Sequence, residues 1–203
     1  LTQDQYPLLT EGVALESRLG PMGFIPGEVF VDMRACYYAG IHNRSTYGIC
    51  GTKETGAYSI VCSGDGTFYH DKDFGDVLEY YGTRGDEDIT PSTQILQASR
   101  WTGNPVRVLR GASRSGPSWS QWAPAYGVRY DGLYRVEKAV DIHKDDDPSQ
   151  PVVNCLFTLR RLPDAEQVCG VSLEAIRRRP GSLNFFRGTV SSGQKWIGKE
   201  VDE

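Results

Sequence analysis

The sequence predicts a single α+β domain built on a curved sheet or partly closed barrel. Segments of alternating, often β-branched apolar residues recur along the chain and outnumber helix-like ones. The 23 Gly and 11 Pro among 203 residues punctuate those segments with turns. No internal repeat divides the chain, and its length suits one core.

Residues 1–26 carry a short amphipathic stretch, Val13, Leu15 and Leu19, preceded by Thr10 and ended by Gly20-Pro21, read as one peripheral helix. Gly27–His42 alternates at Val29, Val31 and Met33 and is read as a strand followed by a loop through Ala39-Gly40, with His42 as a loop or core hydrogen-bonder. Asn43–Gly56 is turn-rich and joins two strands, either as an ordinary loop or as a probe that touches a ligand. Ala57–Val61 is a strand, broken at Ser63-Gly64-Asp65-Gly66. Thr83–Ser99 is acidic at first, and Thr90-Pro91 then leads a short helical turn with Ile95 and Leu96. Asn104–Gly111 is a compact strand with Val106 and Val108 on one face and Arg107 on the other. A long loop with two Trp precedes the strand Val128–Val140, and a polar turn at 143–151 joins it to Val152–Leu162 as a hairpin with Arg160 and Arg161 outward. Ser172, Leu173 and Ile176 mark a final short helix capped by Gly181. Its Arg177–Arg179 run reads either as a solvated helix end or as a DNA contact.

With 39% hydrophobic, 11% aromatic and 24% charged residues, the chain is a folded globular protein rather than a disordered one. Its 22 basic and 26 acidic residues leave a net charge of −4, which argues against generic, backbone-driven nucleic-acid binding. A nucleic-acid partner must therefore meet a local basic face. Five cysteines without CxxC spacing suit neither a disulfide framework nor a zinc module, so reduced, intracellular thiols are expected. No apolar run approaches the ~20 residues of a membrane span, so no membrane partner is expected. The chain opens on Leu1 without a leader and is read as a piece of something longer.

The stretch Ala57–Gly82 is the most suggestive chemically. Beyond its strand it crowds Phe68, Tyr69 and Tyr80 around Asp71 and Asp73. Aromatic planes beside one acceptor suit a planar polar ligand such as a flipped nucleobase, because stacking supplies contact area and the carboxylate reads a donor edge. The same residues would also serve a hairpin with core aromatics and turn-forming Asp. No nucleophile-and-base pair stands out among the three histidines, and His70-Asp71-Lys72-Asp73 fails the calcium-loop pattern at Phe74 and Gly82. Neither catalysis, a metal nor a cofactor is expected within these residues.

Three ordered segments are similar to one family. GIHNRSTYGICGTKETGAYSIVCSG, then DKDFGDVLEYYG, then NPVRVLRG with WAPAYGVRYDGLYRV, resemble the SRA (SET- and RING-associated) domain, also named YDG after the tripeptide that stands here as Tyr130-Asp131-Gly132. The resemblance spans about 27–161. It implies one domain over 1–203, with an N-terminal helical arm and a C-terminal helical and loop extension around that core. The implied fold is a twisted, saddle-like, PUA-like β-barrel flanked by short helices. The implied function is nuclear, chromatin-associated recognition of 5-methylcytosine in double-stranded DNA by base flipping, with flanking domains possible in a longer chain.

By that resemblance Asp71 accepts from the cytosine amine and Tyr80 stacks on one face of the base. Phe68 or Tyr69 takes the other face, and Cys62, Ser63 and Gly64 line the pocket through their backbone. Tyr81 stands where many members carry a small residue bounding the methyl group. Thr46 lies nearest the hole left by the base, within the ungapped match Arg44–Tyr47. Phosphate contacts are expected from Arg44, Lys53, Arg100, Arg114 and Arg129 on loops near the pocket. The short acidic bend after Gly82 offers only Arg84 where some members insert a long basic finger, so little preference for hemimethylated over fully methylated sites is expected. Two other functions stay open: a reader module of a modification-dependent nuclease, and a protein-interaction domain that has lost base flipping.

Overall fold

The computed structural model describes residues 18–44, 46–63, 71–113 and 118–178. The helix expected from Thr10 falls almost wholly outside them, as does Gly181. The described elements run β1 (Val29–Phe30), α1 (Met33–Ala39), β2 (Ile49–Thr52), β3 (Gly56–Cys62), β4 (Lys72–Asp73), β5 (Val77–Tyr81), α2 (Pro91–Thr102), β6 (Val106–Gly111), β7 (Val128–His143), β8 (Val152–Arg161) and α3 (Leu173–Arg178). They form an α+β fold around one mixed, eight-stranded sheet in the order β2-β3-β6-β7-β8-β5-β4, with β1 paired to β7. The sheet is twisted rather than closed into the barrel that was expected.

The centre of the sheet is buried on both faces. In β3 and β6, Ile60, Val106 and Val108 enter a cluster with Leu78, Leu96, Tyr134 and Phe157, which α2 covers. Val61 and Leu109 point the other way, into a second cluster with Phe24, Phe30, Cys36 and Ile41 beneath α1. Burial of both faces explains why these strands are near-continuous apolar runs. Arg107 lies on the face opposite Val106 and Val108, as expected, and because that face is covered too it is only 2% exposed. Its guanidinium donates to the carbonyls of Ile41, Arg18 and Gly20. Arg161, expected to face outward beside Arg160, is likewise buried and reaches the carbonyls of Asp131 and Val171.

β3 and β6 are parallel, so everything between them forms a crossover. β6 and β7 are antiparallel, and their register slips by one residue between Arg107↔Leu133 and Leu109↔Tyr130. The extra residue is the bulge of Asp131-Gly132, with Gly132 at φ +104°. Across it Tyr130 enters the second cluster while Tyr134, four residues on, enters the first. A Cβ on Gly132 would stand 2.5 Å from Oε1 of Gln167, which accepts from the amide of Leu133.

Two elements differ from expectation. The strand read over Val29–Met33 stops after Phe30, because Asp32 accepts from the amide of Ala35 and starts α1, and Gly40 at φ 79° ends it. The short turn after Thr90-Pro91 is a twelve-residue helix, with Thr90 as N-cap and Pro91 at its first position.

Candidate nucleic-acid interface

The β4–β5 hairpin carries the expected reader. Asp71 precedes β4, and its Oδ1 accepts from the Tyr81 amide at 2.8 Å. That is the carboxylate's one hydrogen bond among the described residues. Burial drives the acid's pKa up from 3.8 to about 6; the Tyr81 N–H works against this, and the negative charge of Asp73 adds to it. Asp71 is thus a partly desolvated carboxylate with most of its acceptor capacity unspent.

Strand alternation along β5 buries Leu78 and Tyr80 and turns Val77, Glu79 and Tyr81 to the opposite face. Tyr80 lies in the first cluster, 6% exposed. Its hydroxyl makes long contacts to the carbonyls of Gly48 (3.4 Å) and Val61 (3.5 Å), so it spans from β5 towards β2 and β3. Tyr81 shares its face with Glu79, which holds Lys72 at 3.0 Å. Cys62 is buried at the end of β3 and Ser63 is exposed beyond it. Gly64, Phe68 and Tyr69 lie outside the described residues, as does Arg114.

The loop after α1 is held from inside the fold. His42, fully buried, bonds through Nε2 to the Tyr47 carbonyl at 2.7 Å and through Nδ1 to Ser59 Oγ at 2.8 Å. Because a carbonyl only accepts, Nε2 carries a proton. The amide of Val61 donates to the Gly48 carbonyl at 2.8 Å and fixes the end of the loop. Thr46 and Tyr47 are exposed, and the Arg44 guanidinium sits over the Tyr47 ring at 5.9 Å.

A cleft of about 720 Å³ opens beside this loop. Its walls are the start of α1 with Arg34, residues 46–48, Ser63, and the segments 111–113 and 125–128. It meets the expected pocket at Ser63 and does not include Asp71 or Tyr80. Sequence reading missed Arg34 and the wall at 125–128; the Asp32 cap that starts α1 was the available signal.

The expected phosphate contacts fare unevenly. Arg44 flanks the cleft. Arg129 is not available to a phosphate: it is 3% exposed, and its Nη2 donates to Asp131 at 2.9 Å and to the Trp122 carbonyl at 2.6 Å. Arg100 is on α2 rather than on a loop, stacked over Trp101 at 4.8 Å. Lys53 lies in the β2–β3 turn, which Asn104 holds through the Thr55 carbonyl. The length of β3 separates that turn from Ser63 by about 20 Å, so neither Lys53 nor Arg100 is beside the pocket. Arg84 is exposed on a segment that follows β8 through Gly82 and Gly85, and the adjoining acidic bend pairs Glu87 with Lys144.

A buried ion network lies behind the pocket. Arg110 forks onto Asp73 at 2.8 and 2.9 Å and bonds Asp131 at 2.8 Å, with every side chain 1% exposed or less. Arg129 completes the set on Asp131. The signature residues of VRVLRG and YDG are therefore internal, tying β6 and β7 to the hairpin that bears Asp71.

The description SAD/SRA domain matches residues 18–165. The chain belongs to this family. It is 34% identical over 135 residues to the putative E3 ubiquitin-protein ligase ORTHRUS 4 of Arabidopsis thaliana, covering 57% of this chain and 20% of the relative. It is 33% identical over 129 residues to the human E3 ubiquitin-protein ligase UHRF2, covering 49% and 16%. The chain thus spans about a fifth of these curated relatives. Among solved structures, the SUVH5 SRA domain in complex with hemimethylated CG DNA superposes with a TM-score of 0.52 at 31% identity, over 70% of this chain and 90% of that one. A modification-dependent restriction endonuclease, TagI, gives 0.56 at 30% identity, over 71% and 52%.

Proposed function

We propose that this SRA domain binds double-stranded DNA carrying a modified cytosine, foremost 5-methylcytosine, by taking the flipped base into a pocket bounded by Asp71, Tyr80 and the backbone of Cys62, Ser63 and Gly64. The observation that supports it is Asp71: a half-buried carboxylate with one backbone partner has acceptor capacity free for an exocyclic amine and none to offer a carbonyl. Tyr80 supplies one stacking face and Phe68 or Tyr69 the other, which offsets the few kcal/mol of unstacking. Thr46 and Tyr47 enter the hole, and Arg44 meets the backbone. Lys53, Arg84, Arg100 and Arg114 contribute more distant charge. The whole of 1–203 acts as one module in the nucleus, beside further domains.

Gel-shift titrations with matched duplexes test this. Methylated DNA is expected to bind more tightly than unmodified DNA without cleavage, with hemimethylated and fully methylated sites within tenfold of one another. Asp71→Ala is expected to abolish the preference; a variant that keeps it refutes the assignment. The TagI likeness favours a second reading, in which this module directs a nuclease carried elsewhere in a longer chain. Cleavage of modified plasmid by the full-length protein with Mg²⁺ distinguishes that case.

A further inference from the structure

We infer that Asp73 and Arg110 are positioning residues for the base-reading carboxylate, and that the fork between them sets how sharply the pocket separates modified from unmodified cytosine. This rests on the role given to Asp71 above. β4 is two residues long and lies at the end of the sheet, paired to β5 only through Lys72↔Glu79 and Asp73↔Leu78. So short an edge strand does not hold its neighbours tightly by its ladder alone. The Lys72–Glu79 pair is exposed (63% and 31%) and adds little.

Asp73 supplies the missing constraint. Its carboxylate takes two N–H bonds from Arg110, one from the Gly75 amide at 3.0 Å and the Ser120 hydroxyl at 2.6 Å. A bidentate guanidinium fixes orientation as well as distance. Arg110 is itself fixed by Asp131, by the Tyr134 hydroxyl at 3.1 Å and by the Gly75 carbonyl at 2.7 Å. An unbroken chain of buried bonds therefore runs from the YDG bulge to a point two residues beyond Asp71. The link is electrical too. Asp73 on its own hairpin raises the proton affinity of Asp71. The Tyr81 amide faces Asp71 from β5, and the Cys62 thiol on β3 feels Asp71, Asp73, Asp131 and Arg110 together.

Two variants of the full chain test this. Asp73→Asn removes the charge and weakens the fork. Ser120→Ala is milder and removes one hydroxyl from Asp73, leaving Arg110 in place. The probe is a labelled duplex with one 5-methylcytosine, measured against its unmodified counterpart, with thermal unfolding as the check on folding. Asp73→Asn is expected to lower the methylated-to-unmodified affinity ratio about tenfold and Ser120→Ala about threefold, with unmodified binding unchanged within about twofold. A carboxyl-carbon NMR titration should show the Asp71 midpoint fall in Asp73→Asn, where the neighbouring negative charge is gone, and hold in Ser120→Ala, where that charge remains. Folded variants with the wild-type ratio and midpoint overturn the inference while Asp71→Ala still abolishes the preference. If Asp73→Asn does not fold, the ratio in Ser120→Ala decides. A wild-type protein without preference overturns the role of Asp71 and this inference together.

Discussion

Replacing Asp71 by Asn separates what the carboxylate does for binding from what it costs the fold. The Asn side chain keeps an oxygen for the Tyr81 amide but carries no charge. In the folded protein burial raises the Asp71 pKa from 3.8 to about 6. A carboxyl whose folded pKa is raised favours the folded state when protonated, and that advantage is lost as pH climbs from the unfolded value through the folded one. At pH 8 the ionised group therefore costs about 3 kcal/mol, from roughly two pKa units at 1.4 kcal/mol each. The cost falls to about half of that at pH 5 and is nearly gone at pH 4. Asp71→Asn should accordingly stabilise the protein in urea unfolding by that pH-dependent amount. In binding, its amide N–H₂ points a donor at the donor edge of cytosine, so the preference for modified duplex should fall about tenfold or more. A variant less stable than wild type at pH 8, or with an offset independent of pH, refutes the view that Asp71 is a desolvated reader held at an energetic cost.

Three further outcomes follow from the framework. Arg110→Met leaves Asp73 and Asp131 buried with too few partners and should cost about 3–5 kcal/mol in urea unfolding at neutral pH. Gly132→Ala forces a side chain into positive φ against Gln167 and should lower stability by about 2 kcal/mol or more, read as a fall in the unfolding midpoint at constant m. Tyr81→Thr acts on the face opposite Tyr80, so the methylated-to-unmodified ratio should stay within about twofold; a tenfold change would place that ring at the methyl group.

Much of the fold was legible because β3, β6 and the β7–β8 hairpin carry their burial in apolar alternation or continuous apolar runs. α1 was not, since the alternation of Val29, Val31 and Met33 outweighed the Asp32 cap. The buried arginines were the larger failure. Arg129 and Arg161 read as surface because a guanidinium is usually solvated, and neither Arg107 nor Arg110 stood out as an internal anchor. Their partners are carbonyls and carboxylates brought in by the fold, with Asp73 and Asp131 lying 37 and 21 residues from Arg110. In the candidate site, Asp71 and Tyr80 stood out as a carboxylate among aromatics. The cleft beside residues 46–48 did not, because five separated segments build it.

The parallel β3–β6 pair has a consequence for which insertions the fold tolerates. Its two strands are clamped between hydrophobic clusters, and the β4–β5 hairpin that follows Asp71 falls between them in sequence only, held to the far side of the sheet by β5 on β8 and tied at its rear to Arg110. Lengthening the sequence ahead of Asp71 by a residue or two adds only about a few tenths of a kcal/mol in closure entropy and leaves the register of both strands alone. Changes ahead of Asp71 can therefore reshape the ligand side of the hairpin while the contacts of Arg110 with Asp73 and Asp131 stay in place.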